Sequence, residues 1–167
     1  MAGILDARPR VGYFYSGKNP GTLLAERIRK ILVREVMSVP IVVGENVSVY
    51  DAAVTMFLED VGSLFIVKEG GFLEGVVSRK DLLKAALGRT DLQKIPVGVV
   101  MTRRPNIITV TPDDPVYLAA QKLVYQEVDA LPVVEEPADG PPGKLRVVGR
   151  ITKTNITRLF VELGKGE

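Results

Sequence analysis

Apolar residues recur at helical spacing over Leu23, Leu24, Ile28, Ile31 and Leu32, with charges between them. This pattern predicts a helix from Pro20 towards Val36-Met37. Pro40-Ile41-Val42-Val43 then reads as a short strand and Gly44-Glu45-Asn46 as a turn. Ser48, with Asp51 three residues on, caps a second helix whose apolar stripe is Val49, Ala52, Ala53, Met56 and Phe57. Gly62 to Val67 is a buried strand, and Glu69-Gly70-Gly71 turns the chain. The alternating run Leu73-Glu74-Gly75-Val76-Val77 is a half-buried strand that leads into a helix through Leu82, Leu83 and Leu87, ended by Gly88. Thr90-Asp91 opens a helical turn, Pro96 interrupts it, and Val97 to Met101 resumes it.

The pattern then repeats. Met37-Ser38 returns as Met101-Thr102 after 64 residues, and Asp51-Ala52-Ala53 as Leu118-Ala119-Ala120 after 67. Gly62 to Val67 matches Asp129 to Val134, also at 67, and Gly75 matches Gly149 at 74. The spacing grows only where turns lie, so one unit has been duplicated with loop insertions. The larger insertion, Glu135 to Gly143, is rich in Pro and Gly and reads as a long exposed hairpin loop.

Each copy ends in the same way. Ser78-Arg79-Lys80-Asp81 and Thr152-Lys153-Thr154-Asn155 both place a hydroxyl where a strand gives way to a helix, with a carboxylate or amide three residues later. Such a pair forms a capping box. The same hydroxyl and the free N–H groups of a helix start also suit an anion. An ionised carboxylate accepts from both hydroxyls of a ribose, so Asp81 serves that role better than Asn155, which has one carbonyl oxygen. Ser78 and Thr152 would face phosphate, with Arg79, Lys80, Lys153, Arg103 and Arg104 as the cations within reach.

Composition narrows the chemistry. The 167 residues hold no Cys and no His, which removes disulfides, thiolate metal sites and the usual base of a Ser or Cys hydrolase. No motif assembles a base, a nucleophile and an orienting group, so no catalytic residue, metal site or catalytic cofactor is expected. Hydrophobic residues make up 46%, enough for a sizeable core. No apolar run is long enough for a membrane span, and the first residues lack signal-peptide character. A soluble cytoplasmic protein is the expectation. Residues 1–34 carry seven Lys and Arg against two acids, leaving the rest at −3 within a net charge of +2. Within that stretch, residues 1–19 read as an arm, Arg8-Pro9-Arg10-Val11-Gly12-Tyr13-Phe14-Tyr15 joining basic and aromatic residues. Its rings could stack bases or pack on the body or a second subunit.

The duplicated unit resembles the CBS domain, on the strength of Met-Ser or Met-Thr near its start and Gly-x-hydrophobic-(Ser/Thr)-x-x-(Asp/Asn) near its end. The resemblance covers residues 33–163 and implies an α/β (α+β) fold. Two β-α-β-β-α units would pack sheet to sheet about a pseudo-twofold axis, behind the basic aromatic arm and a helix. The expected division is an arm over 1–19, a first unit with its leading helix over 20–95, and a second unit over 96–167. The arm, together with Glu45 to Asp51, Phe57 to Gly62 and Met101 to Ile107, is similar to CcpN-type transcription repressors of gluconeogenic genes. In that family a winged helix precedes the CBS pair; none is recognisable here, so DNA is expected to be reached only through a winged-helix domain absent from this chain. The resemblance implies a homodimer with two clefts for an adenine nucleotide (AMP, ADP or ATP) as regulatory ligand. Adenine would lie at Val39, Pro40 and Ile41 and at Pro105, Asn106 and Ile107. Beside it would be Gly62, Ser63 and Leu64, and Asp129, Ala130, Leu131 and Pro132. The alternative is a structural dimerisation module that needs no ligand.

Overall fold

A computed structural model describes residues 22–87, 91–138 and 140–165. The arm over 1–19, the helix start at Pro20, the cap at Gly88 and Thr90 lie outside the described residues. Helix α1 (Thr22–Lys30) and a short α2 (Val33–Val36) lead into β1 (Val42–Val43) and α3 (Val49–Leu58). The hairpin of β2 (Ser63–Lys68) and β3 (Phe72–Ser78) follows, then α4 (Arg79–Ala86). The second half repeats this order with α5 (Val97–Val100), β4 (Thr102–Arg103), α6 (Val116–Tyr125), the hairpin of β5 (Ala130–Glu135) and β6 (Arg146–Thr152), and α7 (Lys153–Lys165). Each hairpin carries one irregularity, between Ile66 and Val67 in β2 and between Val133 and Val134 in β5, at matching positions of the repeat.

Strand alternation sorts the side chains into three cores. Leu64 and Ile66 face Val49, Ala52, Met56 and Leu82 in the first. Leu131, Val133 and Ile151 face Val116, Ala119 and Leu123 in the second. Phe65 points the other way from its neighbours and meets Leu73 and Val134 in a third cluster between the two hairpins. The strands form one sheet in the order β1-β2-β3-β6-β5, with β4 beside β3. Among the described residues the hairpins are joined by a single backbone pair, Phe72 with Arg146. A bond from Leu73 N–H to the Leu145 carbonyl (2.8 Å) lies beside it. The Arg146 guanidinium lies over the Phe72 ring at 5.5 Å.

The leading helices are exchanged. Val33 is buried in the second core, with Ile28, Ile31, Val36 and Met37 packed around it. Val97 and Met101 are buried in the first. The anchoring bonds match across the repeat: Val33 N–H to the Asp114 carbonyl (2.9 Å) and Val97 N–H to the Val47 carbonyl (2.7 Å). Each methionine ends on the motif glycine of the unit it crosses to. A Cβ on Gly149 would stand 2.6 Å from Met37 Sδ, and one on Gly75 would stand 2.8 Å from Met101 Cγ. The exchange also breaks the helix predicted to run on to Val36-Met37. Ile31 C=O accepts from Val116 N–H (2.8 Å), and Leu32 is extended against Pro115. Backbone groups that a continuous helix would use internally are committed to the second unit.

Glu74 ties the long loop to β3, reaching Lys144 at 3.3 Å and Lys68 at 3.4 Å. Burial pushes its carboxyl up, but the hydrogen bond and charge of Lys144, aided by Lys68, outweigh this and hold it below the usual glutamate range. A lowered folded value means that the pair stabilises the fold above the usual glutamate pKa and that this contribution is lost as pH falls through the folded value. Glu74→Gln should therefore lower stability at pH 7 by no more than about 1 kcal/mol. Chemical denaturation at pH 7 and pH 3 should show the difference from the parent protein shrinking in acid.

Candidate functional site

Two clefts lie where the hairpins meet, one at the start of α4 and one at the start of α7. The first, of about 380 Å³, brings together Gly62 and Ser63 from the start of β2 with Ser78, Arg79, Lys80 and Asp81 from the start of α4. Asn106 and Ile107, after β4, close one side, and Asp129, Ala130, Leu131 and Pro132 close the other. The second, of about 450 Å³, gathers Thr152, Lys153 and Asn155 with Ser38, Arg150 and Arg158. Gly62, Ser63, Arg79, Asp129 and Ala130 line both.

The two motif ends differ in what they leave available. Ser78 N–H and Oγ both donate to Asp81 Oδ2, at 2.9 and 2.6 Å, and Asp81 N–H returns a bond to Ser78 Oγ at 3.3 Å. This is a complete capping box, and it leaves Oδ1 of Asp81 without a hydrogen bond among the described residues. In the second copy Thr152 N–H and Oγ1 donate to Asn155 Oδ1 at 2.9 and 2.7 Å. Asn155 Nδ2 donates in turn to the Val36 carbonyl (2.9 Å) and to Ser38 Oγ (2.8 Å). Asn155 is buried, and its one carbonyl oxygen already accepts twice. It fastens the exchanged segment to α7.

Charge is also unequal. The first cleft sets Arg79, Lys80 and Lys84 against Asp81, Glu127 and Asp129. The second sets Arg79, Arg150, Lys153 and Arg158 against Asp60 and Asp129. Arg79 Nε donates to the Val61 carbonyl (3.2 Å), which holds it between the two. Lys153 pairs with Asp129 at 2.8 Å. Among the described residues no cluster of acidic side chains could hold a metal ion.

Five expected site residues line neither cleft. Leu64 is fully buried, because its place in β2 turns it towards α3 and α4. Val39 is 78% exposed. Pro40 precedes β1 outside both clefts, and Ile41 packs on the first core while its carbonyl accepts from Phe65 N–H (3.1 Å). Pro105 is exposed beside the first cleft's Asn106. Arg103 and Arg104 also lie outside, Arg103 donating to the Gly98 carbonyl at 2.8 Å. The clefts add Lys84, Glu127, Arg150 and Arg158. Helical spacing from Asn155 points to Arg158, whereas no motif marks Arg150.

The CBS domain family model matches residues 33–88 and 97–162. The chain belongs to the CBS domain family as a tandem pair. Over its full length it is 49% identical to the transcriptional repressor CcpN of Bacillus subtilis, of which it spans 77%. It is 33% identical, over 77% of its length, to the L-aspartate semialdehyde sulfurtransferase of Methanocaldococcus jannaschii, but spans only 23% of that enzyme. Among solved structures it resembles the CBS domain pair of protein MJ0100 in complex with 5'-methylthioadenosine and S-adenosyl-L-methionine. The TM-score is 0.67 at 32% identity, over 80% of this chain and 98% of that one. CBSX2 in complex with AMP matches with a TM-score of 0.65 at 30% identity, over 80% and 98%.

Proposed function

We propose that this CBS pair is the adenine-nucleotide-sensing regulatory module of a cytoplasmic transcription repressor. The observation that carries this is Asp81. A carboxylate oxygen with no hydrogen bond among the described residues stands at a helix N-terminus, inside a cleft of ligand size. It accepts the ribose hydroxyls while Ser78, Arg79 and Lys80 take the phosphate. Thr152 and Lys153 form the corresponding phosphate end of the second cleft, where Asn155 is already bonded to Thr152, Val36 and Ser38. Support comes from the CcpN repressor over the whole chain, and from CBS pairs described with AMP or S-adenosyl-L-methionine.

The ligand acts by population shift, favouring one arrangement of two chains or of an attached winged-helix reader, within the limit of its differential affinity. The chain is a homodimer. Phe57 and Leu58 on the first unit, and Val124 and Tyr125 at the matching positions of the second, are exposed apolar residues that an isologous partner would cover together. The same faces favour a second reading, a dimerisation module indifferent to nucleotide.

Thermal melting with AMP, ADP, ATP or S-adenosyl-L-methionine separates the two. A ligand at about 100 times its dissociation constant stabilises the fold by about 2.7 kcal/mol. One adenine nucleotide should raise the melting temperature, and Asp81→Ala should remove the rise. A dimer whose melting ignores all four ligands establishes the second reading instead.

A further inference from the structure

We propose that the second cleft is an oligophosphate site, with no nucleoside of its own. Three observations converge there. Four cationic side chains, Arg79, Arg150, Lys153 and Arg158, face two carboxylates, Asp60 and Asp129, and Asp129 is already paired with Lys153. Arg150 Nε is buried and has no hydrogen-bond partner among the described residues, although a buried guanidinium N–H ordinarily finds one. The cleft opens at the N-terminus of α7, a 13-residue helix whose first N–H groups and dipole favour negative charge. Against this, the group that would hold a ribose is consumed: Asn155 spends its carbonyl on Thr152 and its amide on Val36 and Ser38.

A monophosphate would use only part of this cationic set. A di- or triphosphate spreads its charge over several oxygens and can engage Arg150, Lys153 and Arg158 together. It could arrive free, or as the tail of a nucleotide whose ribose sits on Asp81. Arg79 lines both clefts and would bridge the two halves of such a ligand. The free source stands without the nucleotide reading given above; the tail rests on it.

Calorimetry on the full chain tests this with sodium tripolyphosphate, adenosine, AMP and ATP. Tripolyphosphate should bind one to one, about tenfold or more weaker in Arg158→Met and in Arg150→Met, and unchanged in Asp81→Ala. Arg158 is exposed on α7, so its variant keeps the test open should Arg150→Met fold poorly. If the phosphate belongs to a nucleotide in the first cleft, Arg158→Met should weaken ATP tenfold and leave AMP and adenosine alone. If the source is free oligophosphate, ATP should be insensitive to Arg158→Met and tripolyphosphate should bind beside saturating AMP. Tripolyphosphate and ATP both binding the two arginine variants like the parent would overturn the proposal, as would tripolyphosphate binding that depends on Asp81. Failure of adenosine and AMP to bind, with tripolyphosphate and ATP still bound and both indifferent to Asp81→Ala, would instead remove the nucleotide reading and leave this one standing.

Discussion

Phe65→Ala is expected to destabilise the protein by about 3–5 kcal/mol, the cost of removing a fully buried aromatic ring from a core that cannot collapse around the gap. Phe65 is 1% exposed and sits with Leu73 and Val134 between the two hairpins. Among the described residues one backbone pair joins those hairpins directly, so side-chain packing fixes how they face each other. The clefts are built from both hairpins and share Gly62, Ser63 and Asp129. The variant should therefore lose ligand affinity as well as stability, without having touched a cleft residue. Urea denaturation measures the first effect, with Phe160→Ala as the control. Phe160 is 72% exposed, and its loss should stay within about 0.5 kcal/mol. A loss below about 1 kcal/mol for Phe65→Ala would mean that the hairpins are held by something other than this cluster.

Much of the fold is legible in the chain because local chemistry and tertiary structure agree. Ser48 and Asp51 announce α3 and bond as a cap, Ser48 Oγ accepting from Asp51 N–H at 3.0 Å. Gly70 and Gly71 turn the first hairpin with φ of 81° and 76°, values that suit glycine. The exchange of leading helices is not legible. A duplicated pattern reads the same whether Val33 packs on its own unit or on the other, since both cores ask for an apolar residue at that spacing. Contacts across the repeat distinguish them: Met37 with Gly149, Met101 with Gly75, and the bond from Val33 N–H to the Asp114 carbonyl. At the site, Ser78, Asp81, Thr152 and Asn155 stand out because the motif is local and repeated. Leu64 is expected beside Ser63 in the cleft, yet successive strand residues face opposite ways, and Leu64 turns into the first core. Arg150 is harder still. Its weight comes from an Nε without a partner among the described residues, which no sequence pattern reveals.

The two motif ends should separate stability from binding in opposite directions. Asn155→Ala is expected to cost about 2–4 kcal/mol. It removes the acceptor of Thr152 N–H and Oγ1 at the start of α7 and strips the donor from the Val36 carbonyl and Ser38 hydroxyl, which lie 119 and 117 residues away in the chain. Asn155→Asp keeps the acceptor but sets a carboxylate oxygen against the Val36 carbonyl, so at pH 7 it should cost at least as much as Asn155→Ala. Asp81→Ala removes only a local cap and should cost about 1 kcal/mol. Ligand binding should run the other way. Losing a charged acceptor for ribose at Asp81 is worth about 1.5–3 kcal/mol, an affinity loss of tenfold or more, whereas the first cleft holds no atom of Asn155. Denaturation and nucleotide titration of the same three variants measure both quantities. Equal stability losses at Asp81 and Asn155 would mean that the amide does not hold α2 and α7 together. Equal affinity losses would mean that the two clefts are, after all, equivalent.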